Sequence, residues 1–240
     1  MATLVLVRHG QAGTYEAVYD QLSPLGERQM AALGRYWGER GRPISRAFVG
    51  PLVRQRRSFA AFEAGLAERG GAVPARVDEA GLVEYDALTM MQLALPRIQA
   101  SDPVVVAENE AAAAAPSERQ RRRHMERLFQ HVSRRWVKGE LDVPEVAPFA
   151  DFRRGVEGAL ERMVGDATNG DTTLVFTSGG VVAAALGHVL GLSDEKVLEL
   201  SWIVRNAAFT EILYSSERMS LFGFNAIPHL DADPSLVTLR

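Results

Sequence analysis

A chain of 240 residues with 47% hydrophobic and 24% charged residues can bury a substantial core, and its formal net charge of -3 gives no reason to expect nucleic acid or an anionic membrane as a partner. The absence of cysteine excludes disulfides, thiolate nucleophiles and cysteine-based metal sites. No apolar run approaches the ~20 residues that span a bilayer, and Met1-Ala2-Thr3 runs into Leu4 to Val7 without a leader pattern, so the expectation is one cytoplasmic domain with no membrane contact.

In chain order, Leu4 to Val7 is a short continuous apolar run of the kind buried on both faces of a mostly parallel sheet. Ser23 is an expected N-cap and Pro24 a first helical residue, opening a helix with Met30, Leu33, Tyr36 and Trp37 that stops around Gly41 to Pro43. A strand is expected over Arg46 to Val49, a helix with Arg54, Arg57, Phe59 and Phe62 after Pro51, and a third strand near Val73 to Val77. From about Tyr85 to Phe149 the alternation breaks, and the segment reads as a mostly helical insertion packing over the loop edge of the sheet. It includes the tract Ala111 to Ala115, which suits a helix or a loop, and a basic helix from Ser117 to about Lys138. Alternation returns with a helix from Asp151 to about Asp166, the turn Asn169-Gly170-Asp171 and a strand over Thr172 to Phe176. Thr177-Ser178-Gly179-Gly180 then opens a helix ending near Gly191, and Phe209 to Tyr214 and Ser220 to Asn225 read as a hairpin across Ser215 to Met219. The fold class is α/β, a three-layer α/β/α sandwich with about six strands and helices on both faces.

In open α/β sheets, ligands bind outside the carboxyl ends of the strands. Three segments follow strands: Arg8-His9-Gly10-Gln11, Gly50 to Arg57, and Thr177 to Gly180. An imidazole flanked by guanidiniums repels a metal ion but suits a phosphate, since arginine offers planar donors to phosphate oxygens and a neutral histidine keeps a lone pair for phosphorus. Arg8, Arg54 and Arg57 are the candidate clamps on the equatorial oxygens.

These residues resemble the histidine phosphatase superfamily, the phosphoglycerate mutase-like family. The resemblance rests on Val7-Arg8-His9-Gly10-Gln11, Leu22-Ser23-Pro24-Leu25-Gly26-Glu27-Arg28-Gln29, Gly50-Pro51-Leu52-Val53-Arg54, Leu82-Val83-Glu84, Asn206 to Glu211, and Phe224-Asn225 to His229-Leu230, in that order. It implies the fold above and a phosphatase reaction in which His9 forms a phosphohistidine, Arg8 and Arg54 clamp the phosphoryl group, and Glu84 protonates the leaving oxygen before water hydrolyses the intermediate. Phosphate-binding candidates are Arg8, Gly10, Gln11, Arg54, Arg57, Ser178 and Gly179. No metal or organic cofactor is expected, and the partner is a small phosphorylated substrate or phosphate. The chain departs from the pattern where Ser178 replaces a second histidine, with milder departures at Gln11 and Gly50. Serine donates a hydrogen bond but brings no positive charge. The alternative reading is therefore a catalytically weak or inactive phosphate-binding member, with a phosphomutase less favoured.

The remaining histidines take structural roles in this reading. His124 and His131 belong to the solvated face of the basic helix (Arg119, Arg121, Arg122, Arg123, Arg127, Arg134, Arg135), His188 to an apolar core helix, and His229 anchors the C-terminal segment.

Overall fold

The computed structural model describes residues 1–13, 20–165, 168–215 and 218–239. Six strands, β1 (Ala2–Arg8), β2 (Arg46–Val49), β3 (Arg76–Asp78), β4 (Thr172–Thr177), β5 (Phe209–Tyr214) and β6 (Met219–Ala226), form one sheet in the order β3-β2-β4-β1-β5-β6. The β3–β2, β2–β4 and β4–β1 pairs are parallel, while β5 and β6 extend the sheet antiparallel. The α-helices among the described residues are α1 (Pro24–Glu39), α2 (Val53–Ala67), α3 (Ala87–Ile98), α4 (Pro103–Ala113), α5 (Glu118–Val137), α6 (Phe149–Gly165), α7 (Gly179–Leu190) and α8 (Asp194–Ser201).

The chain divides into two compact units, one of Met1–Glu84 with Arg153–Arg240 and one of Tyr85–Phe152, the boundary falling within α6. In the first unit, side chains alternate across the pleat, so one face of β1 offers Val5 and Val7 and the other Leu4 and Leu6. Val5 and Val7 join Phe176, Trp37 of α1 and Phe62 of α2 in the main core cluster. The opposite face is covered by α7, which touches β1 and β6 and is buried from Gly179 to Gly187. The sandwich is therefore three-layered and its sheet mostly parallel.

Local chemistry sets the element ends. Ser23 Oγ accepts the Gly26 N–H at 3.0 Å and Pro24 fills the first turn, so α1 starts where the sequence places it. Gly191 closes α7 in the left-handed region at φ 65°. The third strand lies slightly later than expected, at Arg76–Asp78, because it is a short edge strand exposed along its length and carries no burial pattern to read. Helix α8 was not anticipated, although Ser193 caps it and Asp194 and Glu195 occupy its first turn. Residue 166, and residues 216–217 of the expected hairpin turn, lie outside the described residues.

The second unit contains α3, α4, α5 and the start of α6, with Met90, Val105, Leu128, Val132, Trp136 and Phe149 buried. Tyr85, Trp136, Phe149 and Phe152 pack their rings with centroids 5.5–5.8 Å apart. The alanine tract is helical through Ala113 and ends in the cap at Ala114. Two histidines of α5 correct the solvated-face expectation. His124 bonds Glu108 at 2.7 Å and His131 bonds Asp102 at 2.8 Å, both half-buried, because α4 packs along that side of α5. Asp102 also caps α4 and pairs with Arg135. Burial opposes its ionisation, but bonds from His131, the Val105 N–H, Arg135 and the Val104 N–H prevail and lower its pKa to about 2. Arg121 and Arg122 pair with Glu118.

His188 is likewise corrected: the buried run of α7 ends at Gly187, and His188 is exposed, 3.8 Å from Glu157. His229 packs its ring against Tyr36 and Phe209, with centroids at 6.1 and 6.4 Å. Among the described residues, no helix is long and apolar enough to cross a membrane.

Candidate active site

Strands β1 and β4 end side by side, Arg8 opposite Thr177, and the His9 N–H continues the ladder to the Thr177 carbonyl at 2.8 Å. The His9 carbonyl accepts from the Ala207 N–H at 3.2 Å and from Asn206 Nδ2 at 3.4 Å, so the backbone of the post-strand residue is held from two directions. Gly10 gives its N–H to Ser58 Oγ, and a Cβ there would stand 2.4 Å from the Gly26 carbonyl oxygen, which explains why the loop needs glycine. Gln11 gives its N–H to Gln29 Oε1 and accepts from Ser23 Oγ with its own side chain.

The imidazole of His9 is buried, with Nδ1 2.7 Å from the Gly10 carbonyl and Nε2 3.2 Å from Arg54 Nε. A carbonyl only accepts and a guanidinium only donates, so the proton is on Nδ1 and the lone pair on Nε2. Burial, and then the charges of Arg8 and Arg54, hold the imidazole well below its ordinary pKa against a smaller raising effect of the Gly10 bond. The ring is neutral at neutral pH. Its lone pair faces a guanidinium.

Arg54, itself buried, is fixed by a residue that sequence reasoning missed. Asp20 Oδ1 accepts from Arg54 Nη1 at 2.8 Å, and Asp20 Oδ2 accepts the Val53 N–H at 2.8 Å, so one carboxylate both orients the guanidinium and caps α2. No local signal marks Asp20, which acts across 34 positions in the chain.

Arg8 donates through Nη1 to the carbonyls of Val204 and Leu239, the latter at 2.8 Å, and its Nε lies 3.4 Å from where a Cβ on Gly179 would stand. Glu84 Oε2 accepts the Gly180 N–H at 2.8 Å, placing its carboxylate at the N-terminus of α7. Ser178 occupies the N-cap position of α7 without making a side-chain cap, and it is fully buried. Its Oγ instead accepts from Gln55 Nε2 at 2.8 Å. Arg57 is exposed and directed to Gln21 and Glu27, outside this bonded group. Arg8, His9, Arg54, Glu84, Ser178 and Gly179 thus lie about the carboxyl ends of β1 and β4 and the start of α7, the part of an open α/β sheet where ligands bind. Among the described residues no group of three or more His, Asp or Glu side chains is placed to hold a metal ion.

Comparison with known proteins places this arrangement in context. The family model described as histidine phosphatase superfamily (branch 1) matches residues 115–227. No curated protein matches the chain. Among solved structures, a phosphoserine phosphatase from Entamoeba histolytica in complex with 3-phosphoglyceric acid is 15% identical with a TM-score of 0.63, covering 96% of this chain and 100% of its own. A mycobacterial glucosyl-3-phosphoglycerate phosphatase in complex with inorganic phosphate is 21% identical with a TM-score of 0.61, covering 95% and 98%. At those identities the likeness is one of fold, and it extends along nearly the whole chain, including the N-terminal segment that the family match leaves out. The family match over residues 115–227, just under half of the chain, and the phosphoglycerate mutase-like fold shared along nearly its whole length make this chain similar to the histidine phosphatase superfamily.

Proposed function

We propose that this protein is a phosphatase that hydrolyses a small phosphomonoester through a phosphohistidine at His9. The observation that carries the proposal is the state of that ring, with Nδ1 bonded to the Gly10 carbonyl, Nε2 unprotonated and the pKa lowered between two arginines. An incoming phosphoryl group takes over the donors of Arg54, and Nε2 attacks phosphorus as the ester P–O bond breaks. The departing oxygen takes a proton from Glu84. Glu84 then accepts a proton from water, whose oxygen forms a bond to phosphorus as the N–P bond breaks, releasing phosphate and restoring neutral His9. Gly179 and the Gly10–Gln11 loop flank the phosphoryl site in this scheme. The names of the two structural neighbours support a small phosphorylated metabolite as the substrate class.

A second reading, a member that binds phosphate without turning over, is favoured by the commitment of Arg8 to two backbone carbonyls and by the burial of neutral Ser178. One experiment separates the two. Hydrolysis of p-nitrophenyl phosphate, with acid-labile, base-stable phosphorylation of the protein, is expected in the wild type, and His9→Ala should abolish the phosphoprotein and lower turnover by about 10³-fold or more. Phosphate affinity by calorimetry without turnover would decide for the binding protein.

A further inference from the structure

Gln55 is fully buried in the first turn of α2, directly after Arg54, and its amide joins three separate segments. Its Oε1 accepts the Leu52 N–H at 3.0 Å, and its Nε2 donates to the Leu82 carbonyl at 3.0 Å and to Ser178 Oγ at 2.8 Å. The room for it comes from Gly50, where a Cβ would stand 2.2 Å from Gln55 Oε1. The Leu82 carbonyl also accepts from Thr177 Oγ1 at 3.1 Å, so strand β4, the segment leading to Glu84 and the start of α2 meet at one amide.

Each of those segments carries a group of the proposed reaction. Arg54 is the neighbouring residue, Glu84 lies two residues beyond Leu82, and the Thr177 carbonyl holds the His9 N–H. A primary amide suits this junction because it puts two donors on one nitrogen and an acceptor beside it; a carboxylate has no donor and a hydrocarbon has neither. Without solvent access, Gln55 cannot touch a substrate.

We infer that Gln55 is a positioning residue for the active site, acting through Ser178 and Leu82 to set Arg54, Glu84 and His9 relative to one another. The inference rests on the phosphatase reading. Misplacement of reacting groups by about 1 Å costs on the order of 10²-fold, so Gln55→Met, similar in length but unable to bridge, should lower kcat by about that factor with KM little changed. Ser178→Ala removes one of the bonds and should cost less. Added to Gln55→Met it should cost nothing more, since both act through the same bond.

Gln55→Glu supplies a readout that altered packing alone would not move. A protonated carboxyl donates one hydrogen bond and a carboxylate none, and burial pushes that ionisation up in pH. Its kcat should approach wild type at low pH and fall as pH rises, through an ionisation the wild type lacks. Steady-state hydrolysis of p-nitrophenyl phosphate from pH 4.5 to 8.5, on variants whose circular dichroism matches wild type, performs the test. If Gln55→Met does not fold, the Gln55→Glu profile and the Ser178→Ala loss carry it. An active wild type with Gln55→Met near wild-type kcat, or with a Gln55→Glu profile parallel to wild type, overturns the inference and leaves the phosphatase reading standing. A wild type that does not hydrolyse the ester, whether or not it binds orthovanadate, overturns the phosphatase reading and the inference with it.

Discussion

Asp20 shows how a single carboxylate serves two levels of organisation. It accepts the first N–H of α2 and pairs with Arg54, whose Nε donates to His9. Asp20→Ala should therefore cost about 1 kcal/mol of stability, as for loss of a helix cap, measurable by urea unfolding. It should also lower kcat/KM by about tenfold through a guanidinium no longer held in place, measurable on the same aryl phosphate. A normal kcat/KM in a folded variant would show that Arg54 needs no partner to stay in position. Neither Asp20 nor Gln55 could be found in the sequence, because their significance comes from carbonyls, hydroxyls and a guanidinium that approach them only in the folded chain. His9, Arg8 and Arg54 stand out in the sequence as a chemical set because each lies at the end of a strand or at the start of the helix that follows one. Their hydrogen-bond partners were not: the binding of Arg8 to Val204 and Leu239 joins residues 196 and 231 positions apart.

Among the elements, α1 and α2 meet at unusually close range. A Cβ on Gly34 would stand 2.1 Å from the Phe62 carbonyl oxygen, and one on Gly65 would stand 2.1 Å from that of Ala31. Intrinsic propensity alone would make Gly34→Ala favourable by ~1 kcal/mol in a helix. Here the methyl meets backbone that cannot swing aside, so the variant should instead lose about 1–3 kcal/mol in urea unfolding. A stabilised Gly34→Ala would show that the two helices can separate without loss. Since α2 begins at the candidate site, displacement of this pair should also reach Arg54. The strands β1 and β4 were readable because they are apolar on both faces, whereas β3 has no buried face to leave a pattern. His188 was misplaced for a related reason: an apolar helix tells which residues are buried only up to the turn at which it emerges, and α7 emerges at that residue.

For the whole molecule, two buried imidazoles contribute to the response to acid above pH 4. Burial lowers the pKa of His229 to about 4, and His9 is depressed by burial and by two arginines. The unfolded chain binds these protons near pH 6.5 and the folded chain resists them, so the stability they allow is complete above that pH and falls as pH drops toward 4. His229 alone should account for about 3 kcal/mol of the loss by pH 4. His229→Phe, which keeps a ring against Tyr36 and Phe209, should flatten much of the decline between pH 6.5 and 4 in denaturant midpoints. A variant curve parallel to wild type would mean that the imidazole is already protonated in the native protein. If turnover runs through unprotonated His9, mild acid should not inhibit it by protonating that ring, whose pKa lies well below the ordinary 6.5. On the ribosome, the order of the sheet imposes a delay: β1 is made first, yet its two neighbours, β4 and β5, begin only at Thr172 and Phe209. The apolar segment Leu4 to Val7 therefore has no native pairing until most of the nascent chain has emerged, whereas Tyr85–Phe152 can complete its own local packing during that interval. Of the strands in the sheet, β1 is the one whose partners lie furthest ahead in the chain, so its apolar edge stays unpaired longest during synthesis.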